Sequence, residues 1–314
     1  MRFAQAHAQR GAAVVMALFV VVLCTLSVAP LIWIVFASAK TISVAASRDQ
    51  AELVARSGID WARIILREDG RVSATDTLTE PWAVPLAESR VNQSLMRQGE
   101  RVEDREVVMT GQIEDAQGRF NLRNLGLDNA SRAVWTTHWV KLATLLGIAP
   151  EQYERVEQTL ARMFPGAPAN NNDPEEASAQ RTALTPANSW DEFRNRYDIT
   201  EDTWQQLRPY VVLLPRTSPV NANTASAEVL YAAIEELSFS QAQGVIAQRE
   251  RTSFNQLADV QQAVGAGIAV NNALISVGSQ FFLVEGSAQV DAAVIRTRAL
   301  LERRDQRVYV IWRQ

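Results

Sequence analysis

The side chains that most often carry out chemistry are scarce in this sequence. Cysteine occurs once, as Cys24, and histidine occurs twice, as His7 and His138. A single cysteine excludes an intramolecular disulfide and a thiolate metal cluster, and Cys24 lies inside a long apolar run, so no cysteine nucleophile is available outside that run. A Ser, His and Asp triad, a histidine-rich metal site or a glycine-rich phosphate loop cannot be assembled from what remains. We therefore predict no catalytic and no cofactor-binding residues, and we expect that the protein is not an enzyme.

The overall composition is that of an ordinary globular protein attached to an apolar segment. The chain has 314 residues, of which 47% are hydrophobic and 21% are charged, which is enough for one or two hydrophobic cores. Its 31 basic and 35 acidic residues give a formal net charge of −4. A general nucleic-acid-binding surface is not expected from this balance.

The longest uncharged run of the chain lies between Arg10 and Lys40 and contains 29 residues. At ~1.5 Å per residue in a helix, this run is long enough to cross a hydrocarbon core of ~30 Å. Three interpretations compete: a cleaved secretory signal, an uncleaved anchor, and a leader that is cut before the apolar run. The secretory signal is the least favoured, because its apolar region spans only ~7 to 15 residues. The sequence thus predicts a single membrane-spanning helix.

A short basic leader ends in glycine directly before this run, in the order Gln9, Arg10, Gly11, Ala12. The junction resembles the processing site of type IV pilins and type II secretion pseudopilins, where the prepilin peptidase cuts after the glycine and the new N-terminus is methylated. The resemblance implies cleavage between Gly11 and Ala12. One position departs from it, because pilins usually carry Glu at the fifth mature residue and this chain has Met16. Among pseudopilins, the minor K subunit characteristically lacks that Glu, so Met16 is our candidate for a residue that determines a tip position.

The apolar helix is expected to continue beyond the membrane. Leu53, Trp61 and Ile64 recur at spacings of eight and three residues, with Val54 and Ile65 beside them, which predicts a helix with one buried face. We expect one long helix from about residue 12 to 68. Pro30 lies inside it and should kink or loosen it locally.

The remainder of the chain changes its periodicity twice. Apolar and polar residues alternate from 107 to 113, which predicts a strand with one buried face. Helical patterns then follow from 125 to 275, and strand-like patterns return from 276 to 314. Residues 292 to 304 suit either a helix or a strand, and we interpret them as a strand because a sheet opened before the helical region must be completed after it.

Four motifs occur in one order along nearly the whole chain. They are RGAAVVMALFVVV from Arg10 to Val22, IEDAQGRFNLRNL from Ile113 to Leu125, PAN from Pro186 to Asn188 followed by an acidic helix, and VNANTASAEVL from Val220 to Leu230. Together they resemble the GspK family, the minor pseudopilin K of type II secretion. The resemblance implies an α+β fold, in which a pilin-like long N-terminal helix packs on an antiparallel sheet and a large all-helical, SAM-like or helix-hairpin-helix-like insert interrupts the sheet.

The same resemblance predicts the domain organisation and the function. The expected segments are a prepilin leader at 1–11, the transmembrane part of the long helix at 12–39, the pilin-like helix and first strands at 40–124, the helical insert at 125–275, and the closing strands at 276–314. The family caps or initiates the tip of the periplasmic pseudopilus for export of folded exoproteins across the outer membrane. The implied partners are the minor pseudopilins I, J and H, the prepilin peptidase and the secretion platform. The implied location is the bacterial inner membrane, with a single span and a periplasmic globular body.

Calcium is the one ligand that the family resemblance suggests, because the family carries acidic calcium sites in the region corresponding to 164–192. Hard oxygen donors are present there, namely Asp173, Glu175, Glu176, Asp191 and Glu192. Where the resemblance expects an acidic run, however, residues 161–165 read Ala, Arg, Met, Phe, Pro. We favour a solvated acidic loop and assign no metal ligands and no cofactor.

An alternative function arises from residues 223–260, which also resemble the helix-hairpin-helix modules of DNA-uptake proteins. DNA-binding versions need a glycine-containing hairpin whose backbone amides reach a phosphate. The hairpin here, residues 235–239, offers carboxylates and no glycine. A membrane-anchored DNA-uptake protein is therefore the second hypothesis, and we favour a protein-contacting module without a nucleic-acid partner.

Overall fold

The structure is a computed structural model that describes residues 8–91, 107–126, 129–164, 187–196 and 199–314. Contacts divide the chain into two compact units, and each is described by itself. The first unit comprises Met1–Ala55, Arg90–Met109 and Ala288–Ile295, and the second comprises Arg56–Ser89, Thr110–Ser287 and Arg296–Gln314.

Helices and strands are numbered here in chain order. The helices are α1 (Ala8–Val72), α2 (Asn129–Leu145), α3 (Pro150–Met163), α4 (Trp190–Arg196), α5 (Glu201–Leu207), α6 (Ala227–Ala233), α7 (Phe239–Arg249) and α8 (Leu257–Val264). The strands are β1 (Leu86–Val91), β2 (Val107–Asp115), β3 (Phe120–Asn121), β4 (Val211–Val212), β5 (Val220–Asn221), β6 (Ile275–Ser276), β7 (Phe281–Val290), β8 (Ala293–Arg304) and β9 (Arg307–Arg313).

Helix α1 is 65 residues long and continues through Pro30 and past Lys40, as predicted. From Val14 to Val44 its large apolar side chains are between 46% and 74% exposed. Among the described residues, α1 is the one helix that is long and apolar enough to cross a membrane. Exposed apolar surface of this extent is typical of a segment that faces lipid.

The buried face of α1 differs from the predicted one. Leu53, Trp61 and Ile64 are 62%, 47% and 54% exposed. The buried positions recur every three or four residues instead, at Ala51, Val54, Ala55, Ile59, Ala62 and Leu66. Half of these are alanines, whose small side chains let a helix lie close to a sheet. The prediction was wrong for Leu53, Trp61 and Ile64 because it followed large apolar side chains, whereas Val54 is buried and Ile65 packs against the core.

The main sheet has five strands in the order β1-β2-β7-β8-β9. Strands β8 and β9 are antiparallel, with Leu300 paired to Trp312. Phe282, Val284 and Leu301 pack with Leu66 of α1 in one core cluster of the second unit. The strand predicted from 107 to 113 and the interpretation of 292–304 as a strand are both confirmed.

Between β2 and β7 the chain forms α2 to α8 and two short parallel strand pairs. Phe120 pairs with Val211, and Val220 pairs with Ile275. The expectation of an all-helical insert was therefore wrong in this detail, because two-residue strands are too short to show an alternating pattern. The helices and both pairs share one large hydrophobic core.

Local sequence signals account for the ends of several insert helices. Gly147, with φ of +70°, follows α2, and the Thr200 hydroxyl accepts a hydrogen bond from the Thr203 amide at the start of α5. Helix α6 begins after Ser226, whose side chain accepts a hydrogen bond from the Val229 amide. The polar residues before Ser226 belong to a buried network of hydrogen bonds.

A buried carboxylate and arginine network as the candidate functional site

The residues predicted for processing lie at the start of α1. Gly11 and Ala12 fall within this helix, which begins at Ala8, and their side chains lie outside the described ones. Met16 is 69% exposed on the same helix. Nothing in this geometry tests the cleavage or the role of Met16, and both stay predictions.

The described part of the chain contains one histidine, His138, and one cysteine, Cys24. His138 is buried, and its Nδ1 lies 2.7 Å from the carbonyl oxygen of Ala232. Burial lowers the pKa of His138. Cys24 is exposed on the apolar part of α1.

The acidic residues considered for calcium are not brought together in the described part of the chain. Asp173, Glu175 and Glu176 lie outside the described residues. Asp191 is paired with Arg298, with 2.5 Å between Oδ2 and Nη1. Glu192 accepts a hydrogen bond from the backbone amide of residue 188 at 2.7 Å. The two described carboxylates thus already have protein partners.

Arg303 of β8 is the centre of a buried polar network in the second unit. Its Nη1 donates to Asp69 Oδ2 at 2.7 Å, and its Nη2 lies 2.5 and 2.6 Å from the two oxygens of Asp76. The guanidinium also reaches the carbonyl oxygens of Ser279 at 3.1 Å and Leu66 at 3.3 Å. Asp76 is fully buried. Charge-assisted bonds of this kind are stronger than neutral ones, so they fix the end of α1 to β8.

Asp115, at the end of β2, is a buried carboxylate held by neutral donors. Its Oδ2 accepts hydrogen bonds from Ser279 Oγ at 2.6 Å, Thr224 Oγ1 at 2.6 Å and Asn221 Nδ2 at 2.8 Å. Its Oδ1 accepts one from the Gln117 amide at 2.8 Å. Asp115 therefore joins the end of a main-sheet strand to the residues that precede α6.

Two asparagines before α6 complete the network. Asn221 Nδ2 also lies 3.0 Å from the Asp76 carbonyl oxygen, and its Oδ1 accepts from the Asn223 amide at 3.0 Å. Asn223 in turn exchanges two bonds of 2.9 Å with the backbone of Phe254. These bonds hold the segment before α6, which begins after Ser226.

Burial dominates the electrostatics of the network. It raises the pKa of Asp76 to about 7, against the opposing effect of the Arg303 charge. Burial also raises the pKa of Asp115, whose hydrogen bonds act in the opposite direction. Burial raises the pKa of Glu80, which accepts bonds from the Thr77 amide and the Trp82 indole. Proton binding to these carboxyls is therefore linked to folding.

One trio of carboxylates in the described ranges has the spacing of a metal site. Ligand oxygens of Asp69, Asp76 and Glu80 lie within 4.8 Å of one another. Arg303 already donates to Asp69 and Asp76, so the protein supplies a cation of its own at this place. We assign no metal ligands here.

The turn between α6 and α7 bears on the DNA-uptake alternative. Residues 234–238 connect the two helices, and Glu235 and Glu236 are exposed. Helix α7 begins with a capping box formed by Ser238 and Gln241. Exposed carboxylates repel a phosphate, and the turn contains no glycine.

Two residues of the network, Asp115 and Asn221, lie in motifs of the sequence, but the motifs do not indicate that these residues are in contact. Asp115 lies in the motif from Ile113 to Leu125, and Asn221 lies in the motif from Val220 to Leu230. Neither motif shows a pairing between them, and Arg303 belongs to neither. The polar positions inside these motifs could have been singled out from the sequence, but not the contact between them.

The described elements define a class of protein: a long helix with an apolar, exposed half, a five-stranded sheet, and a helical insert between neighbouring strands. Two family models described as "Type II secretion system (T2SS), protein K" match residues 118–216 and 220–278. The type II secretion system protein K of Pectobacterium carotovorum subsp. carotovorum is 30% identical over 230 residues, which cover 66% of this chain and 69% of that protein. The protein K of Pseudomonas aeruginosa is 27% identical over 296 residues, which cover 88% of this chain and 83% of that protein.

A structural relative agrees with these matches in fold. A chain from the crystal structure of the GspK-GspI-GspJ complex of enterotoxigenic Escherichia coli superposes with a TM-score of 0.66 at 19% sequence identity. The match covers 88% of this chain and 98% of that chain. The chain belongs to the type II secretion system protein K family.

Proposed function

We propose that this chain is a minor pseudopilin that caps or initiates the tip of the periplasmic pseudopilus and acts as a structural subunit, not as an enzyme. The observation that carries this proposal is the helical insert, which joins the neighbouring strands β2 and β7. Packed pilin-type helices leave little radial room for an insert of this size. A subunit with such an insert fits an end position better than a repeating position.

The solved relative supports the choice of partners, since its structure is of a complex named GspK-GspI-GspJ. We infer that this chain assembles with minor pseudopilins I and J, and with H. Its apolar half of α1 anchors it in the bacterial inner membrane with one span, and its remaining elements form a periplasmic body. The prepilin peptidase removes residues 1–11 by cutting between Gly11 and Ala12.

The outward face of α1 in the second unit offers a contact for the long helix of a partner pseudopilin. Trp61 and Ile64 lie three residues apart and are about half exposed, on the face opposite Ala62 and Leu66. Trp is strongly enriched among the residues that dominate binding energy at interfaces. Trp61 and Ile64 belong to the same helix, α1, whose apolar half is the membrane anchor.

The test uses the full-length chain in a strain from which its gene has been deleted. We expect it to restore exoprotein secretion and to co-purify with minor pseudopilins I and J. Trp61→Ala should reduce the co-purification at least about tenfold, the loss expected for one interface residue worth over 1.4 kcal/mol. Val84→Ala, at another exposed position, is the matched control and should change neither result.

The processing step is tested by mass spectrometry of the membrane protein, from cells with and without the prepilin peptidase. A chain that begins at Ala12 only when the peptidase is present supports the proposal. An intact N-terminus, or a cut after Ala37 or Ala39, would refute it. Tight, salt-dependent binding of the full-length protein to duplex DNA, with no binding to I and J, would favour the DNA-uptake alternative.

A further inference from the structure

The ammonium group of Lys141 lies among backbone carbonyl oxygens of the α6–α7 turn. Its Nζ donates to the carbonyl oxygens of Ile234 at 2.8 Å, Glu235 at 2.8 Å and Leu237 at 3.3 Å. The same Nζ lies 4.2 Å from the centre of the Tyr231 ring. Four electron-rich groups from a stretch of seven residues therefore converge on one positive charge.

These four groups have the chemistry of a site for a compact monovalent cation. Carbonyl oxygens that point to a common centre replace the hydration shell of such an ion. The face of an aromatic ring attracts a cation within about 6 Å of its centre. Burial lowers the pKa of Lys141, and the negative charge of Glu235, which belongs to the turn, acts in the opposite direction. The attraction for a cation at this point comes from the three carbonyl oxygens and the ring face.

The use of lysine at this position is unusual for this chain. Lys40 and Lys141 are the only lysines among its 31 basic residues. An ammonium is a compact charge with three donors, which matches three converging acceptors, whereas a guanidinium presents a planar fork. Lys141 stands at a position where one ammonium group donates to all three carbonyl oxygens.

We propose that the α6–α7 turn is a binding site for a monovalent cation of the ammonium or potassium class, which this chain fills with the side chain of its own Lys141. The tethered cation fastens the turn to α2 and binds carbonyl oxygens of the residues that follow α6. When the side chain is shortened, the turn takes up a free cation of the same class. This inference does not depend on the proposed function.

The experiment measures thermal unfolding of the full-length protein in detergent micelles. Potassium, ammonium and methylammonium chloride are compared with choline chloride at one ionic strength, because choline carries no N–H and is too bulky for the site. In choline chloride, Lys141→Ala should melt about 4 to 8 °C below the wild type, as expected for the loss of a charged hydrogen-bond donor. In the other three salts it should regain at least half of that difference, and the wild type should melt equally in all four.

Two further variants separate the cation site from simple packing. Lys141→Met keeps the apolar stem, fills the space and lacks the charge, so it should be destabilised without responding to any salt. Lys141→Arg keeps the charge but not the geometry, so its melting temperature should fall as well.

The proposal is overturned if Lys141→Ala melts equally in potassium, ammonium and choline chloride, or if Lys141→Met responds to the salts as Lys141→Ala does. If Lys141→Ala does not fold in choline chloride, the other salts decide the matter. A cooperative unfolding transition that returns in potassium, ammonium or methylammonium chloride supports the proposal, and its absence in all three overturns the proposal.

Discussion

Asp115 and Asn221 are 106 residues apart in the chain and are joined by a buried hydrogen bond of 2.8 Å between Oδ2 and Nδ2. Asp115 ends a strand of the main sheet, and Asn221 belongs to a strand of the insert. Their bond is one of four on the Asp115 carboxylate. The attachment of the insert to the sheet therefore rests on buried polar groups as well as on apolar packing.

Replacing Asn221 with Ala should destabilise the protein by about 3 kcal/mol, because a buried carboxylate loses a donor and the Asn223 amide loses its acceptor. Asn272→Ala is the matched control at an exposed turn position and should stay within about 0.5 kcal/mol of the wild type. The measurement is unfolding of the full-length protein in detergent by guanidinium chloride, followed by tryptophan fluorescence. Equal midpoints for both variants would contradict a structural role of the network.

The stability of the protein should decrease as pH rises from 5 to 8. A carboxyl whose pKa is raised by folding contributes stability that is complete below its unfolded pKa, 3.8 for Asp76, and that is lost as pH rises through about 7. One such group changes the free energy of unfolding by at most about 1.4 kcal/mol per pH unit. In Asp76→Asn, the free energy of unfolding should therefore depend less on pH in this range. Unfolding of the wild type and the variant at several pH values measures the difference.

The control for this pH effect is Asp259→Asn. Two backbone amides, from Asn255 and Gln256, donate to Asp259 and lower its pKa. The stability that the Asp259 carboxylate contributes is complete above its unfolded pKa. Asp259→Asn should therefore leave the pH dependence of the free energy of unfolding between pH 5 and pH 8 unchanged. A slope that Asp76→Asn does not alter would mean that another group titrates in this range.

Two glycines should respond in opposite directions to substitution by alanine. A Cβ on Gly278 would overlap the backbone carbonyl oxygen of Ala74, so Gly278→Ala should destabilise the protein by about 1 to 3 kcal/mol. Gly244 lies inside α7 with open space around it, so Gly244→Ala should stabilise by up to about 1 kcal/mol. Thermal unfolding of the two variants in parallel checks both signs, and a stabilised Gly278→Ala would contradict the described packing.

The role of Met16 at the tip can be tested by introducing the Glu that pilins usually carry at this position. In a pilin-type filament, the Glu at the fifth position neutralises the N-terminal ammonium of a neighbour, and an unpaired charge in the membrane costs at least ~2.5 to 3.5 kcal/mol. A first subunit has no neighbour above it that needs this carboxylate. Met16→Glu should therefore leave pseudopilus initiation unchanged or weaken it, as counted by pseudopilus assembly and exoprotein secretion. A marked increase in both would require the initiating role to be abandoned.

The long elements of this fold could be predicted because their periodicity is local. An apolar run without charges specifies the first half of α1, and alternation specifies β2, whatever the rest of the chain does. The face of α1 could not be assigned in the same way. Trp61 and Ile64 are as apolar as a core requires, yet Ala62 and Leu66 face the sheet. The size of an apolar side chain therefore does not by itself identify the buried face of a helix.

The polar network could not be predicted, because its partners are far apart in the chain. Asp115 lies 164 residues from Ser279, and Asp76 lies 227 residues from Arg303. No periodic pattern connects single polar residues over such separations. The motifs around Asp115 and Asn221 indicated a family but gave no contact between the two.

Strands β2 and β7 are neighbours in the main sheet, although the whole insert lies between them in the chain. Thr110 bonds to Ser287, and Asp115 bonds to Ser279, so the two strands run in opposite directions. The insert therefore leaves the sheet and returns to it at a single point, where a tight hairpin turn would also connect the strands. A smaller or larger module exchanged at this point would leave every strand pairing of the main sheet unchanged. The exchanged module would, however, have to provide new donors for the buried carboxylate of Asp115, which in this chain accepts hydrogen bonds from Asn221 and Thr224 of the insert.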